Sequence, residues 1–541
     1  MITLGRAGQT EIDQAAAEQL GLSGLILMEH AALALVREIR AFVADQRPER
    51  FVFLCGPGNN GGDAYAAARL QLDDGIPIDV YESEERAAQV KGSDADLNRA
   101  ILLNLGIVIQ PFSAYEARRG DLVIDALFGT AFRLERGIQG EYLRLMQMLA
   151  EQKSTLGLRI VSVDIPSGVE ADTGLAHEVA VRADLTVSFI APKTGIVAYP
   201  GRMYAGTVRI GSLNLPKTWL DKKIASQEWR GPREIDLEAL RLRAAETRRS
   251  ADSHKGTNGH VALMAGSPGM GGAAVLAARA AIASGSGLVS LNIPADLYAA
   301  ALNAVPSALI HILPETTAEQ VSWWSAQIGK KDAVAIGPGL GQVDDHRPYL
   351  DEMIFTAIRE AKRLVLDADA LNIIAAPERA ERAQALLRER VANGMEAAVL
   401  TPHPGEARRL LGEEAELAMT DRLQAAKVLA ERWSSVIVLK GAGTVVHLSA
   451  AVFGESEIED HVWINSSGNP GMGKGGSGDL LTGILASFLG QGMSLETAVI
   501  GAVFLHGRAA DLAVGDGSER GLMPEMFLQY IGRAGEEVAW E

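Results

Sequence analysis

Arg50-Phe-Val-Phe-Leu-Cys55 runs directly into Gly56-Pro-Gly-Asn-Asn-Gly-Gly-Asp63, and an alanine-rich stretch over residues 64–72 follows. A short apolar run, a glycine loop and a helical stretch begin a βαβ unit, in which a buried parallel strand delivers a loop to the sheet edge. The same grammar recurs along the chain. Asp121-Leu-Val-Ile-Asp125 and Arg159-Ile-Val-Ser-Val-Asp164 each end in an aspartate ahead of a glycine-bearing loop, with residues 142–152 helical between them. In the second half, residues 260–265, 333–336, 364–366, 398–400 and 436–439 are further short apolar runs that stop at Gly, Asp or a Thr-Pro turn. Strands alternating with helices predict an α/β protein whose parallel sheets are covered on both faces.

Residues 10–45 read as one or two helices ahead of the first strand, and the first domain closes with Gly206-Thr-Val-Arg-Ile-Gly211 and residues 213–216. Residues 217–255 are locally positive and weakly patterned, a linker plus an entry helix. The expected domains are therefore 1–225 and 226–541.

Bulk composition excludes several classes. The 541 residues are 48% hydrophobic, enough to bury a full core, which removes disordered and disulfide-scaffold readings. With 51 Lys and Arg against 68 Asp and Glu the formal charge is −17, unsuited to general nucleic-acid binding. A single cysteine, Cys55, forbids an intramolecular disulfide and a Cys-based zinc cluster, and suits a reducing compartment. Glu11, Asp13 and Glu18 stand where a signal peptide would be apolar, and no run reaches the roughly 18 apolar residues of a membrane span. A cytoplasmic protein without a membrane partner is expected.

Gly56, Gly58 and Gly61 formally match the dinucleotide-binding G-x-G-x-x-G, with Asp79 and Glu82 about 20 residues later. Asn59, Asn60 and Asp63 nevertheless crowd the loop with oxygens that suit a cation or a ribose hydroxyl better than a bare pyrophosphate. Asp125-Ala-Leu-Phe-Gly-Thr130 and Asp164-Ile-Pro-Ser-Gly168 add two aspartates at strand ends, where open parallel sheets line their ligand crevice. Each feature alone also reads as a turn with a capping side chain. Three converging on one edge are more specific.

In that order these loops, with Ala191-Pro-Lys-Thr-Gly195 and Pro200-Gly201, resemble the NAD(P)H-hydrate epimerase domain. The resemblance implies a Rossmann-like three-layer fold, interconversion of R and S hydrates at nicotinamide C6, and a bound K+. By matching position, Asn60, Asp125 and Ser167 would ligate the ion. Asn59, Asn60, Gly61, Gly62, Asp63, Gly129, Thr130, Ala131, Phe132, Arg133, Leu134, Glu135 and Asp164 would bind substrate, with Asp164 as acid or base. Met28-Glu29-His30-Ala31-Ala32 departs from the Ala-Gly pair common in the family.

The densest chemistry is Asn469-Pro-Gly-Met-Gly-Lys-Gly-Gly-Ser-Gly-Asp479. Gly468, Gly473 and Lys474 formally begin a P-loop, but residue 475 is Gly where a Mg²⁺-ligating Ser or Thr belongs. What remains is a run of N–H donors at a helix start beside one carboxylate, suited to developing phosphate charge. With Gly266-Ser-Pro-Gly-Met-Gly-Gly-Ala273, Ile336-Gly-Pro-Gly-Leu-Gly341, Asp367-Ala-Asp-Ala-Leu-Asn372, Thr401-Pro-His-Pro-Gly-Glu406 and Lys440-Gly-Ala-Gly-Thr444, it resembles the ribokinase-like NAD(P)H-hydrate dehydratase domain. That resemblance implies ADP or ATP with Mg²⁺ as co-substrate and Asp479 as catalytic base. Lys440, Gly441, Ala442, Gly443, Thr444 and Gly478 would bind nucleotide; Ala274, Gly339, His403 and Asp479 would bind substrate. It also implies a homo-oligomer. Gly473-Lys474 replaces the usual Ala-Thr, so Lys474 reads either as a phosphate contact or as a solvated lysine. Two other functions remain open: a ribokinase-like small-molecule kinase fused to a dinucleotide-binding domain, and a regulatory N-terminal half without catalysis.

Overall fold

Phe51, Phe53 and Cys55 of strand β1 (Arg50–Cys55) pack into one core cluster, while Val52 and Leu54 pack into another. Both faces of the strand are therefore covered, as a continuous apolar run requires in a parallel sheet. The computed structural model describes residues 2–84, 92–225, 231–343, 349–450, 460–515 and 517–540. Two compact units divide the chain, residues 2–232 and 233–541. The boundary expected at 225 lies at the edge of residues 226–230, which fall outside the described residues.

In the first unit β1 is joined by β2 (Ile78–Glu82), β3 (Ile109–Pro111), β4 (Asp121–Ala126), β5 (Arg159–Val163), β6 (Leu185–Phe189) and β7 (Thr207–Gly211). The spatial order is β3-β2-β1-β4-β5-β6-β7, every pair parallel. Helices Gly24–Phe42 and Asn59–Leu70 contribute to the cluster on one face, and Gly140–Leu156 to the cluster on the other, giving a Rossmann-like three-layer fold. Strand order reverses between β1 and β4, so the loops after these strands flank the switch-point crevice. The opening 10–45 segment is two helices, Arg6–Leu20 and Gly24–Phe42. No strand forms over residues 213–216.

The second unit holds a ten-stranded sheet. Its strands are β8 (Arg233–Ile235), β9 (His260–Met264), β10 (Leu288–Ile293), β11 (Leu309–Ile312), β12 (Ala333–Ile336), β13 (Leu364–Leu366), β14 (Val399–Leu400), β15 (Val436–Leu439), β16 (Val445–Leu448) and β17 (His461–Asn465). Their order is β11-β10-β9-β12-β13-β14-β15-β16-β17-β8, and only β16 runs antiparallel to its neighbours. β8 explains the later boundary: this short strand pairs with β17 and so belongs to the second sheet. Here the reversal falls between β9 and β12, again placing two glycine loops at a crevice.

Small residues seat the helix that carries Asp479. A Cβ on Gly483 would come within 2.2 Å of the Ala277 carbonyl oxygen, so helices Ser477–Gly490 and Gly271–Ala283 approach through Gly and Ala. Among the described residues one helix, Leu495–Gly515, is long and apolar enough to cross a membrane by length and composition, although Glu496, His506, Arg508 and Asp511 break its apolar run. Its most apolar window is 72% buried within the protein, where it serves as a core helix.

Candidate active sites

In the first unit Asn59, Asn60, Gly61, Gly62 and Asp63 are the opening turns of a helix rather than a loop. Two glycines there are poor helix formers, and packing overrides propensity. A Cβ on Gly61 would sit 2.0 Å from the Gly56 carbonyl oxygen, and one on Gly62 would strike the Met28 side chain. Asp79 and Glu82, which follow the glycine loop by about 20 residues, are engaged by protein partners: Asp79 pairs with Arg50, and Glu82 with Arg99 and the Tyr65 hydroxyl.

Asn60 and Ser167 converge on Phe128, and Asp125 joins them through Ser167. Asn60 Nδ2 donates to the Phe128 carbonyl at 3.1 Å, and the Phe128 N–H donates to Ser167 Oγ at 2.9 Å. Asp125 is fully buried and accepts from Ser162 Oγ (2.7 Å), Ser167 Oγ (2.5 Å) and Ser167 N–H (2.9 Å). Burial pushes its pKa up against these hydrogen bonds, and no Lys or Arg among the described residues pairs with it. A buried carboxylate amid neutral oxygens fits a monovalent cation.

Asp164 adopts φ 63°, the left-handed region that an Asp tolerates better than most residues. The turn aims its Oδ1 at Lys193 Nζ, 2.6 Å away, with Ser188 Oγ and the Phe189 N–H each donating at 3.2 Å. Lys193 is fully buried. Asp63 faces the same pair: burial, then Asp164 and Asp13, drive its pKa well above the usual carboxylate range while Lys193 opposes. Asp13 rises to about 6, mainly by burial. The cluster is thus Asp13, Asp63, Asp164 and Lys193. The loop over residues 129–135 is tied down beside it by Arg133 to Asp172 and by the Leu134 N–H to Glu170, and Gly129 lies against the Asn60 side chain. Phe132 is buried, Thr130 is half-buried, and Ala131 and Glu135 are exposed.

In the second unit Asp479 lies in the first turn of helix Ser477–Gly490, which follows Gly476 at φ 99°. Its half-buried carboxyl is pushed up to about 7, first by burial and then by Asp367, with Lys440 opposing and Asp369 and Glu406 adding. Lys440 Nζ contacts Asp367 at 2.6 Å and Glu406 at 3.9 Å, and Thr482 Oγ1 holds the other Asp367 oxygen at 2.6 Å. Burial works against the Lys440 charge, but these carboxylates hold its pKa above the ordinary lysine value. Gly478 lies against that ammonium: a Cβ there would stand 3.4 Å from Nζ, an ordinary contact. Gly441 (φ 140°) and Gly443 (φ 58°) shape the following loop, which Arg422 clamps through the carbonyls of Leu439, Lys440 and Ala442; Thr444 Oγ1 closes on Gly441.

The expected substrate residues of this unit sit apart in kind. Gly339 (φ 62°) approaches the Met270 carbonyl, and its own carbonyl accepts from Ser267. Ala274 is buried against Gly266. His403 is half exposed and caps helix Pro404–Leu411: its Nδ1 accepts from Gly405, while Glu406 accepts from the His403 N–H.

Two family models cover most of the chain. The one described as NAD(P)H-hydrate dehydratase matches residues 261–532, and the one described as YjeF-related protein N-terminus matches residues 24–195. A protein of Moorella thermoacetica named bifunctional NAD(P)H-hydrate repair enzyme is 34% identical, over 98% of this chain and 96% of its own. The chain belongs to the bifunctional NAD(P)H-hydrate repair enzyme family. A second family member, from Escherichia coli, is 34% identical over 96% of this chain and 90% of its own. Among solved structures, an ADP/ATP-dependent NAD(P)H-hydrate dehydratase from Bacillus subtilis, co-crystallized with ATP/Mg²⁺, is 28% identical with a TM-score of 0.46, covering 57% of this chain and 99% of that one.

Against this family background, Lys474 is an exposed lysine with a structural tie. Its Nζ donates to the carbonyls of Arg520 (2.7 Å) and Leu522 (2.5 Å) and so ties down the C-terminal segment. Four charged residues of the two clusters escaped the sequence reading: Asp13, Lys193, Asp367 and Glu406. Three of them stood inside or beside quoted motifs, but only their distant partners reveal their part in a site.

Proposed function

We propose that the chain repairs hydrated NAD(P)H in two reactions, epimerisation of the R and S hydrates in the first unit and nucleotide-driven dehydration of the S form in the second. The observation that carries the reading is Asp479: a half-buried carboxyl poised near pH 7 in a helix first turn, with the Lys440 ammonium facing it. Such a group suits a general base at neutral pH. Asp479 takes the proton of the C6 hydroxyl as that oxygen attacks the terminal phosphoryl group of ADP or ATP. The N–H groups after Gly475 receive the charge that develops on phosphate. AMP or ADP is released; phosphate then leaves with the C6 oxygen, the C5 proton passes to water, and the C5=C6 double bond of NAD(P)H is restored. Asp367 and Glu406 are engaged by Lys440. Mg²⁺ is therefore expected to enter with the nucleotide, held mainly by its phosphate oxygens.

The first unit offers a donor and an acceptor on one sheet edge. Asp63 keeps its proton to higher pH than an ordinary carboxyl, whereas Asp164 is ion-paired to Lys193. A carboxyl that keeps its proton suits the acid, and one paired with a buried ammonium suits the base. Asp63 protonates the departing C6 hydroxyl, the ring nitrogen lone pair supports the resulting cation, and water returning to the opposite face loses its proton to Asp164. Asn60, Asp125 and Ser167 would hold K+, which would supply positive charge beside the anionic substrate. At equal ionic strength, K+ is expected to raise the melting temperature relative to N-methylglucamine, as binding to the native state must. Asp125→Asn should lose that increment, and an equal shift in both proteins would remove the K+ assignment.

Incubating the protein with mixed R and S hydrates, Mg²⁺, K+ and ADP or ATP tests the whole reading. Full recovery of reduced-nicotinamide absorbance is expected. No recovery with either nucleotide would overturn it.

A further inference from the structure

At the start of helix Ser477–Gly490 two buried polar atoms lack a partner. Ser477 and His506 are each 7% exposed, and among the described residues neither Ser477 Oγ nor His506 Nε2 finds a hydrogen-bond partner. His506 projects from helix Leu495–Gly515, its imidazole set against the Ser477 backbone and within the field of Lys440. The Phe527 ring lies 5.7 Å from it. Burial lowers the imidazole to about 4, so the ring is neutral at working pH, a form with one donor and one acceptor.

The surroundings make these two atoms conspicuous. The same helix satisfies the preceding turn completely: Ser467 Oγ donates to the Phe504 carbonyl at 2.8 Å, while the Gly468 N–H and Asn469 Nδ2 each donate to Asp511 at 2.9 Å. Unpaired buried polar groups weaken a fold, and natural proteins retain them where a ligand or function completes them. Here they coincide with the turn that offers N–H donors to phosphate. A phosphoryl oxygen only accepts, so the complement it lacks is a donor, and a serine hydroxyl is one.

We propose that the Ser477 hydroxyl donates to a phosphoryl oxygen of the bound nucleoside di- or triphosphate, and that His506 is the positioning residue that holds the Ser477 turn for it. The inference rests on the dehydratase reading above and deepens it. The hydroxyl adds a donor that the backbone of Gly475, Gly476 and Gly478 cannot supply, and the ring fixes where that donor sits. It also gives helix Leu495–Gly515 a part in the site, since one helix then orders both the turn at Gly468 and the turn at Ser477.

The test uses the full chain, with ADP and ATP titrated calorimetrically in Mg²⁺ and initial dehydration rates measured on the S hydrate. Ser477→Ala is expected to weaken nucleotide Kd and raise nucleotide KM by about ten-fold or more, the size of a lost hydrogen bond to a charged group. His506→Leu removes the ring's hydrogen bond to the Ser477 backbone along with the unpartnered nitrogen, and kcat should fall about ten-fold. His506→Gln, which keeps a donor and an acceptor, should recover most of that rate. If the ring merely fills the core the order reverses, because Leu is then harmless and a buried amide is not. Wild-type Kd and KM in Ser477→Ala, or Leu outperforming Gln at 506, would overturn the inference. A wild-type protein that neither binds nucleotide nor dehydrates would remove the dehydratase reading and this inference with it.

Discussion

Replacing Asp479 with Asn is expected to lower kcat for dehydration of the S hydrate by about 10²–10⁴-fold, the usual contribution of a positioned base. Nucleotide binding, read by calorimetry, should change little, since Lys440 and the loop from Gly441 to Thr444 keep their own supports. The pH profile of the wild type follows from the same carboxyl. Its folded-state value is raised to about 7. As the base is the ionised form, kcat/KM should climb about ten-fold per pH unit below that value and level off above it. Stability runs the other way. Between the ordinary value of 3.8 and about 7 the folded protein holds a proton that the unfolded chain has released, so this group favours the fold at low pH and that advantage is lost as pH rises through the window. Asn cannot ionise and escapes this penalty. Asp479→Asn should therefore melt at the same or a higher temperature at pH 8 while nearly inactive. Full activity in that variant, or a profile flat from pH 5 to 8, would remove Asp479 from the reaction.

What the sequence made legible is local. Asp125, Asp164 and Asp479 each announce themselves within a few residues, the first two as the last polar group of an apolar run before a glycine turn, the third as an acid directly after a glycine run. Those signals also located the strands β1, β4, β5, β9 and β12 to β15. What stayed hidden is the pairing of distant segments. Asp13 reaches the first site because the Leu4 N–H bonds the Pro192 carbonyl and the Thr194 N–H bonds the Leu4 carbonyl, which brings the N-terminal segment and the helix after it beside Lys193. Asp367 looks like a turn cap until Lys440 arrives from another strand. Strand β8 escaped for a different reason: three residues carry no period, and only pairing with β17 makes them a strand. Asn59 to Asp63 read as a loop from their glycines, yet close packing against Gly56 and Met28 winds them into a helix.

Asp164→Asn is expected to abolish conversion of the R hydrate, by about 10²–10⁴-fold, while the S hydrate is still consumed at the wild-type rate. Asn is the informative replacement because residue 164 sits at φ 63°, which Asn adopts with little strain and Ala does not. The substitution also has a structural cost. Lys193 is fully buried and Asp164 is its carboxylate partner at 2.6 Å. Removing one side of such a pair leaves an uncompensated charge, typically a loss of about 3–5 kcal/mol. A drop in melting temperature could then account for lost epimerisation without any role in the chemistry. The double variant Asp164→Asn, Lys193→Met separates the two explanations, since it deletes the stranded ammonium along with its partner. Stability should return in the double variant, and epimerisation should not. If epimerisation returned together with the melting temperature, Asp164 would be a counter-ion for Lys193 and the base would have to be sought among Asp13 and Asp63.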